Sequence, residues 1–368
     1  MEKYGFAGKI ARPAVASPDL TRPDWSAISP RNPGLMWLDK NENIDPELTA
    51  ITSKILARLP VAALYSYPDS GPFYHKLGNY LGVGADHLLL AAGSDGVIRS
   101  VFEAFINQGD VVVHTQPTFA MYMVYCRMYG AQAVVMEYEP SDLGPFLPVD
   151  RVVETIARSK PKLVCLPNPD SPTGTVFSPL EMRSIIEAAG EAGAIILIDE
   201  AYHPFYSNSV LPWVDENPHL VVARTFSKAW GLAGLRIGYA VASPQIANLL
   251  HKVRPMYEVN TLGIYFVERM LDYSEEMLAS VKRVNAGKND FLTAMADLGF
   301  KTFRAEGNFL HVAFGNEAPV IHEALKKVVL YRLDFKDPCL KGYSRFSAAP
   351  MGLFRPVIQA IHQAVGKS

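Results

Sequence analysis

Lys228 closes the run Arg224-Thr225-Phe226-Ser227-Lys228. Shortly after it comes Gly231-Leu232-Ala233-Gly234-Leu235-Arg236-Ile237-Gly238. Thr225 and Ser227 offer hydroxyls, Arg236 a planar cation, and the glycines let backbone come close, which together suit a phosphate group. A lysine beside Arg236 has its pKa pushed down by the like charge, which readies its amine as a nucleophile. A single loop lysine is ordinarily a solvated charge, and its neighbours are what set this one apart. Gly93-Ser94-Asp95-Gly96 opens a helix, either to cradle a phosphate on N–H groups or as a plain N-cap turn. NPDSPTG (168–174) is too dense in Asn, Pro and Gly for a casual loop. Asp199, followed by Glu200, Ala201 and Tyr202, ends an apolar run, where a carboxylate needs a cationic or hydrogen-bonding partner.

These stretches follow short apolar runs: HLLLAA (87–92), KLVCLP (162–167), AIILID (194–199) and HLVVA (219–223). DVVVH (110–114) and AQAVVM (131–136) have the same texture, and helix-length amphipathic segments lie between the runs, one beginning near Thr118. Continuous apolar strands mean a sheet covered by helices on both faces. The alternation predicts a mostly parallel α/β sheet whose ligands bind beyond the carboxyl ends of its strands. Ser178-Pro179 with Glu181 marks a helix start, closed by Gly190 and Gly193. After Pro255 the pattern changes to long helices (258–272 and 275–298), with strand candidates at 308–314, 328–333 and 343–348. The expected organisation is a Pro-rich N-terminal arm (1–46), a large domain (47–255) and a smaller α+β C-terminal domain (256–368).

Of the 368 residues 49% are apolar and 20% charged, with a net charge of −2. That excludes disorder over the whole chain and shows no polyelectrolyte footprint, so no nucleic-acid partner is expected. Cys126, Cys165 and Cys339 are too few and too scattered for a disulfide framework or a zinc site, and read as buried thiols in a reducing compartment. The opening MEKYGFAGKIARPA lacks the apolar core of a secretory signal, and no window holds the ~18 apolar residues of a membrane span. A cytoplasmic protein with neither a membrane partner nor a metal is expected.

Taken together, LDKNENIDP (38–46), SYPDSG (66–71), GSDG (93–96), QPTFAMY (116–122), NPDSPTG, DEAY (199–202), TFSKAWGLAGLRIG (225–238), NFL (308–310) and YSRFS (343–347) resemble a known family. The sequence is similar to fold-type I pyridoxal-phosphate (PLP) enzymes of the class I/II aminotransferases, most of all the histidinol-phosphate aminotransferase branch. The resemblance implies that Lys228 forms the internal Schiff base with PLP and then shuttles protons. It implies that Asp199 pairs with the pyridinium nitrogen, which makes the ring an electron sink. Tyr202 and Asn168 would bond the phenolic oxygen, and Phe119 would stack on the ring. Ser94, Asp95, Thr225, Ser227 and Arg236 would hold the phosphate, with Tyr67 reaching it from the partner of a homodimer. Arg345 would clamp the substrate carboxylate. L-glutamate is the family's usual donor, and a 2-oxo acid or phosphorylated carbonyl would be the acceptor.

Three departures fall near the substrate side. Asp170 adds a carboxylate, expected at the pocket mouth; VVLYRL (328–333) differs from the branch's strand, with Arg332 as a stand-in; and FSAAPMG follows Arg345. A decarboxylase or lyase of the same fold, O-phosphothreonine decarboxylase-like, is an alternative reading. A PLP-binding regulator is a third, opposed by an arm too short and Pro-rich for a helix-turn-helix. A dinucleotide enzyme is opposed by the absence of G-x-G-x-x-G after the first strand.

Overall fold

The computed structural model describes residues 5–24, 26–333 and 335–366. Of the arm expected over 1–46, residues 1–4 and 25 lie outside that set, as do 334, 367 and 368 of the C-terminal region.

The apolar runs form strands because both of their faces are covered. In chain order the strands are β1 (Met36–Trp37), β2 (Leu88–Ala91), β3 (Val111–Gln116), β4 (Gln132–Glu137), β5 (Leu163–Pro167) and β6 (Ile195–Asp199). They continue with β7 (Leu220–Thr225), β8 (Gly238–Ala242), β9 (Lys301–Phe303), β10 (Phe309–Ala313), β11 (Val329–Leu330) and β12 (Ser344–Ser347). Seven of them make one sheet, ordered β2-β8-β7-β6-β5-β3-β4. Pairing is parallel from β4 through to β7, while β8 runs antiparallel to both of its neighbours. Alternation along each strand feeds two cores. Leu88, Leu90, Val164, Leu166, Ile196, Ile198 and Val222 pack on one face, and Leu89, Ala91, Leu163, Cys165, Leu197 and Val221 on the other.

Local chemistry sets the helix ends. Ser178 and Glu181 form a reciprocal capping box at the start of the helix Pro179–Glu191, with Pro179 in its first turn. Gly193, at φ 72°, follows the helix end, whereas Gly190 lies within the helix, where a Cβ would meet the His219 ring at 2.8 Å. The helix after β3 begins at Met121, not near Thr118, because the Thr118 hydroxyl is held by Asp170.

A second, three-stranded antiparallel sheet (β12-β10-β9) packs with the helices Ser274–Asp297 and Met351–Ala364 around its own core, which includes Phe291, Leu310, Phe346 and Phe354. The helix Pro244–Val253 ends just before Pro255. The candidate strand 328–333 narrows to Val329–Leu330, which pairs in parallel with Met36–Trp37. Arg332 lies beyond it in an isolated bridge with Arg345. The chain therefore leaves β1 beside the small sheet and crosses to the large one through residues 38–45. Among the described residues no helix is long and apolar enough to cross a membrane. All three cysteines are buried free thiols.

Candidate active site

Four strand ends of the large sheet converge with the crossing segment 38–45. Asp199 is the last residue of β6, and the sheet's helices cover it so that 4% of its surface remains exposed. Its Oδ1 accepts from the Ala201 N–H at 3.0 Å and its Oδ2 from the Tyr122 hydroxyl at 3.1 Å. Among the described residues no cation is hydrogen-bonded to it, and burial pushes its carboxyl up to about 7. Tyr122 stands on the helix Met121–Tyr129. It lies inside the motif QPTFAMY, but nothing in its spacing marks it as Asp199's partner. Phe119, three residues earlier, is 40% exposed and meets Tyr122 edge-on, with ring centroids 6.1 Å apart.

Lys228 follows the end of β7 and is half-buried. Its Nζ donates to the Lys40 carbonyl at 2.8 Å and lies 5.8 Å from the Tyr202 ring centroid. Burial lowers its ammonium to about 8. Arg345 and Arg236 add to the shift, and Glu42 and Asp199 oppose it. The shift inferred from the neighbourhood of Arg236 is thus present, but loss of hydration is the larger cause.

Around Lys228, hydroxyls and guanidinium N–H groups gather at one place. Thr225 Oγ1 donates to Ser227 Oγ at 2.9 Å, and Arg236 Nη1 approaches that oxygen at 3.3 Å. Arg236 adopts φ 55°, and its Nη2 lies 2.6 Å from where Gly93 would carry a Cβ. The helix Gly93–Phe105 has no side-chain cap, so its first N–H groups are left for something else. Asp95 turns its carboxylate to the Tyr125 hydroxyl at 3.0 Å, so the N–H groups of Ser94 and Asp95 are what this turn offers an anion.

Beyond Tyr202 the loop 168–174 meets the small sheet. Arg345 on β12 is 5% exposed. Its Nη1 donates to Ser171 Oγ at 3.2 Å and its Nη2 to the Asp39 carbonyl at 3.0 Å. Burial lowers this guanidinium to about 10. The Tyr202 hydroxyl accepts from Asn41 Nδ2 at 2.8 Å and is also hydrogen-bonded by Ser171. Asn168 points elsewhere: its Oδ1 accepts from the Phe177 N–H at 2.9 Å and its Nδ2 faces the Phe177 carbonyl. In this structure Asn168 thus braces its own loop, and Ser171 lies beside Tyr202. Asp170 is not at a pocket mouth either. It is fully buried and bonded by Thr115, Thr118 and Tyr138. Tyr67 lies apart from the cluster, exposed and stacked on Tyr257 with centroids 4.3 Å apart.

Sequence reasoning missed Asn41, Ser171, Tyr122 and Asn308. All four lie within the quoted motifs, but only the tertiary contacts give them partners. Asn308 Nδ2 donates to the Asn41 carbonyl at 2.9 Å, which fixes the crossing segment to the small sheet. Asn41 Oδ1, Asn308 Oδ1 and Arg345 Nε are buried without a hydrogen-bond partner among the described residues. Polar groups left so beside a half-buried amine are suited to a polar ligand.

The model of the family described as aminotransferase class I and II matches residues 33–354. The chain belongs to that family. This aminotransferase is 35% identical over 313 residues to a histidinol-phosphate aminotransferase of Roseiflexus castenholzii, covering 79% of this chain and 82% of that one. To the Ruminiclostridium cellulolyticum histidinol-phosphate aminotransferase it is 27% identical, across 89% and 93% of the two chains. The solved histidinol-phosphate aminotransferase from Sinorhizobium meliloti, in complex with pyridoxal-5'-phosphate, superposes with a TM-score of 0.77 at 20% identity. That match covers 90% of this chain and 91% of the other. The fold is thus the α/β fold type I, and the protein is a transaminase of a PLP-dependent family. The residues fit that cofactor: an uncapped helix start with hydroxyls and Arg236 for a phosphate, a buried carboxylate with no hydrogen-bonded cation among the described residues for a ring N–H⁺, and a lysine of lowered pKa.

Proposed function

We propose that the chain moves an amino group from an L-amino acid, with L-glutamate as donor, to a 2-oxo acid or phosphorylated carbonyl acceptor of the histidinol-phosphate kind. The carrying observation is the convergence of Lys228, Asp199, Tyr202 and Arg345 at one place, with the Arg236 cradle beside them.

PLP, when bound, supplies a ring that takes up the electron pair released as the amino acid's Cα–H bond breaks. Lys228 Nζ would be the attachment point, and once the amino acid's amine displaces it the same nitrogen would take the Cα proton and return it. Asp199 keeps a proton on the ring nitrogen through its negative charge, while the Tyr122 hydroxyl and the Ala201 N–H fix its orientation. Tyr202, held by Asn41 and Ser171, bonds the phenolic oxygen. Phe119 covers one ring face. Thr225, Ser227, Arg236 and the N–H groups of Ser94 and Asp95 hold the phosphate. Arg345, set by Ser171 and the Asp39 carbonyl, forks onto the substrate carboxylate.

Tyr67 would complete the phosphate site from a partner subunit. The exposed Val61, Leu64, Tyr65, Met256 and Tyr257 around it supply an apolar face for that contact. The test is an assay of 2-oxoglutarate formed from L-glutamate across a panel of oxo-acid and phosphorylated carbonyl acceptors, with carbon dioxide measured in parallel. One 2-oxoglutarate per acceptor consumed is expected. Carbon dioxide release without amino transfer would overturn the reading.

A further inference from the structure

Asp170 is a fully buried carboxylate that holds together segments carrying three proposed site residues. Thr115 Oγ1, at the end of β3, donates to its Oδ2 at 2.6 Å, and the Tyr138 hydroxyl, just past β4, donates to the same oxygen at 2.8 Å. Thr118 Oγ1, next to Phe119, donates to Oδ1 at 2.6 Å. The backbone of Asp170 closes the loop on itself: its N–H donates to the Thr175 carbonyl at 2.9 Å, and its carbonyl accepts from the Gly174 N–H at 2.7 Å. Ser171 is the next residue, and its hydroxyl meets both Arg345 and Tyr202. From the small domain, the Glu306 N–H reaches the Gly174 carbonyl at 3.0 Å, so the loop is gripped on both sides.

We propose that Asp170 is a positioning residue: its carboxylate seats the loop 170–174 on the ends of β3 and β4, so that Ser171 aligns Arg345 and Tyr202. The inference rests on the reading of Arg345 as the substrate-carboxylate clamp. A serine has a short reach and one hydroxyl, so its place depends on its backbone, which the Asp170 carboxylate ties to the ends of β3 and β4. Three hydroxyls donate to this one carboxylate, whereas an amide puts an NH₂ where a hydroxyl now donates. Burial pushes this carboxyl up to about 7 in spite of those donors, so the group is retained at a cost in stability.

The experiment compares Asp170→Asn, Ser171→Ala, their double variant and Arg345→Ala in the PLP-loaded protein. Each is read by calorimetric binding of 2-methyl-L-glutamate, which lacks a Cα–H, and by KM and kcat for L-glutamate. Asp170→Asn is expected to weaken binding and raise KM by about tenfold, the equivalent of one or two hydrogen bonds, with a smaller change in kcat. Ser171→Ala should do the same, and the double variant should be no worse than either single one, because both act through one hydroxyl. Binding within twofold of wild type in Asp170→Asn, or full additivity in the double variant, would overturn the proposal. Should Asp170→Asn fail to fold, Tyr138→Phe and Thr118→Val carry the test, and unchanged KM in both would overturn it. Arg345→Ala with unchanged binding would instead sink the underlying reading of the clamp.

Discussion

Asp199 is a buried carboxyl to which no cation among the described residues is hydrogen-bonded. In the cofactor-free protein its carboxyl titrates at about 7, against about 3.9 in an unfolded chain. Between those values the folded protein holds a proton that the unfolded chain has released. Stability therefore falls as pH rises through this window, and the penalty is complete above about 7. Asp199→Asn should raise the melting temperature of the cofactor-free protein by a few degrees at pH 8 and leave it unchanged near pH 4. The same substitution should lower turnover on the order of 10²-fold or more. A variant that loses both stability and activity would mean that Asp199 is a structural carboxylate. Lys228 gives the complementary pH dependence. Its amine becomes neutral above about 8, so the rate of covalent PLP attachment should climb between pH 7 and 9 and then level off. A pH-independent rate would place the reacting amine elsewhere. Lys228 and Asp199 were legible because a lysine among phosphate-binding residues and an aspartate ending an apolar run are both anomalous. The contact of Asn168 with Phe177 was not legible, because its motif fixes the loop but not where each of its side chains points.

At the scale of elements, the cradle depends on how closely β8 approaches the start of the helix Gly93–Phe105. A Cβ on Gly238 would lie 2.4 Å from the Gly93 carbonyl carbon, 2.6 Å from the Ser94 nitrogen and 2.7 Å from the Arg224 oxygen, all of them backbone atoms. Gly238→Ala should therefore cost about 1–3 kcal/mol of stability and weaken PLP binding about tenfold or more. Gly234→Ala, where no atom lies within 4 Å, should change neither. Equal behaviour of the two variants, measured by melting and cofactor titration, would mean that this backbone contact does not shape the cradle. Continuous apolar runs announced the two-faced sheet. The reversed direction of β8 was not legible, because Gly238–Ala242 reads as the same kind of run whichever way it points. Strand 328–333 shortened for a related reason: only Val329 and Leu330 find a backbone partner, in β1, far away in sequence.

At the scale of the whole molecule, residues 38–45 join the two sheets, with Asn41 bonded to both Tyr202 and Ser347 and Asn43 to both Ala229 and Ser280. The motif LDKNENIDP was legible but its bridging role was not, since that comes from tertiary hydrogen bonds. The exposed face around Tyr67 makes a prediction of the same scale. Leu64→Asp should shift the protein towards a monomer in sedimentation and lower its PLP affinity, and Tyr67→Phe should lower the affinity without changing the assembly. A fully active monomer would contradict a shared site. The most direct test of the account is the absorbance spectrum of the PLP-loaded protein before and after excess L-glutamate, with Lys228→Ala alongside. The wild-type protein should be yellow, lose that band on adding glutamate and gain the near-ultraviolet band of pyridoxamine phosphate, and Lys228→Ala should not retain the cofactor after borohydride reduction and denaturation. A wild-type protein that stays colourless with PLP, or a Lys228→Ala protein that keeps the reduced cofactor, would contradict it.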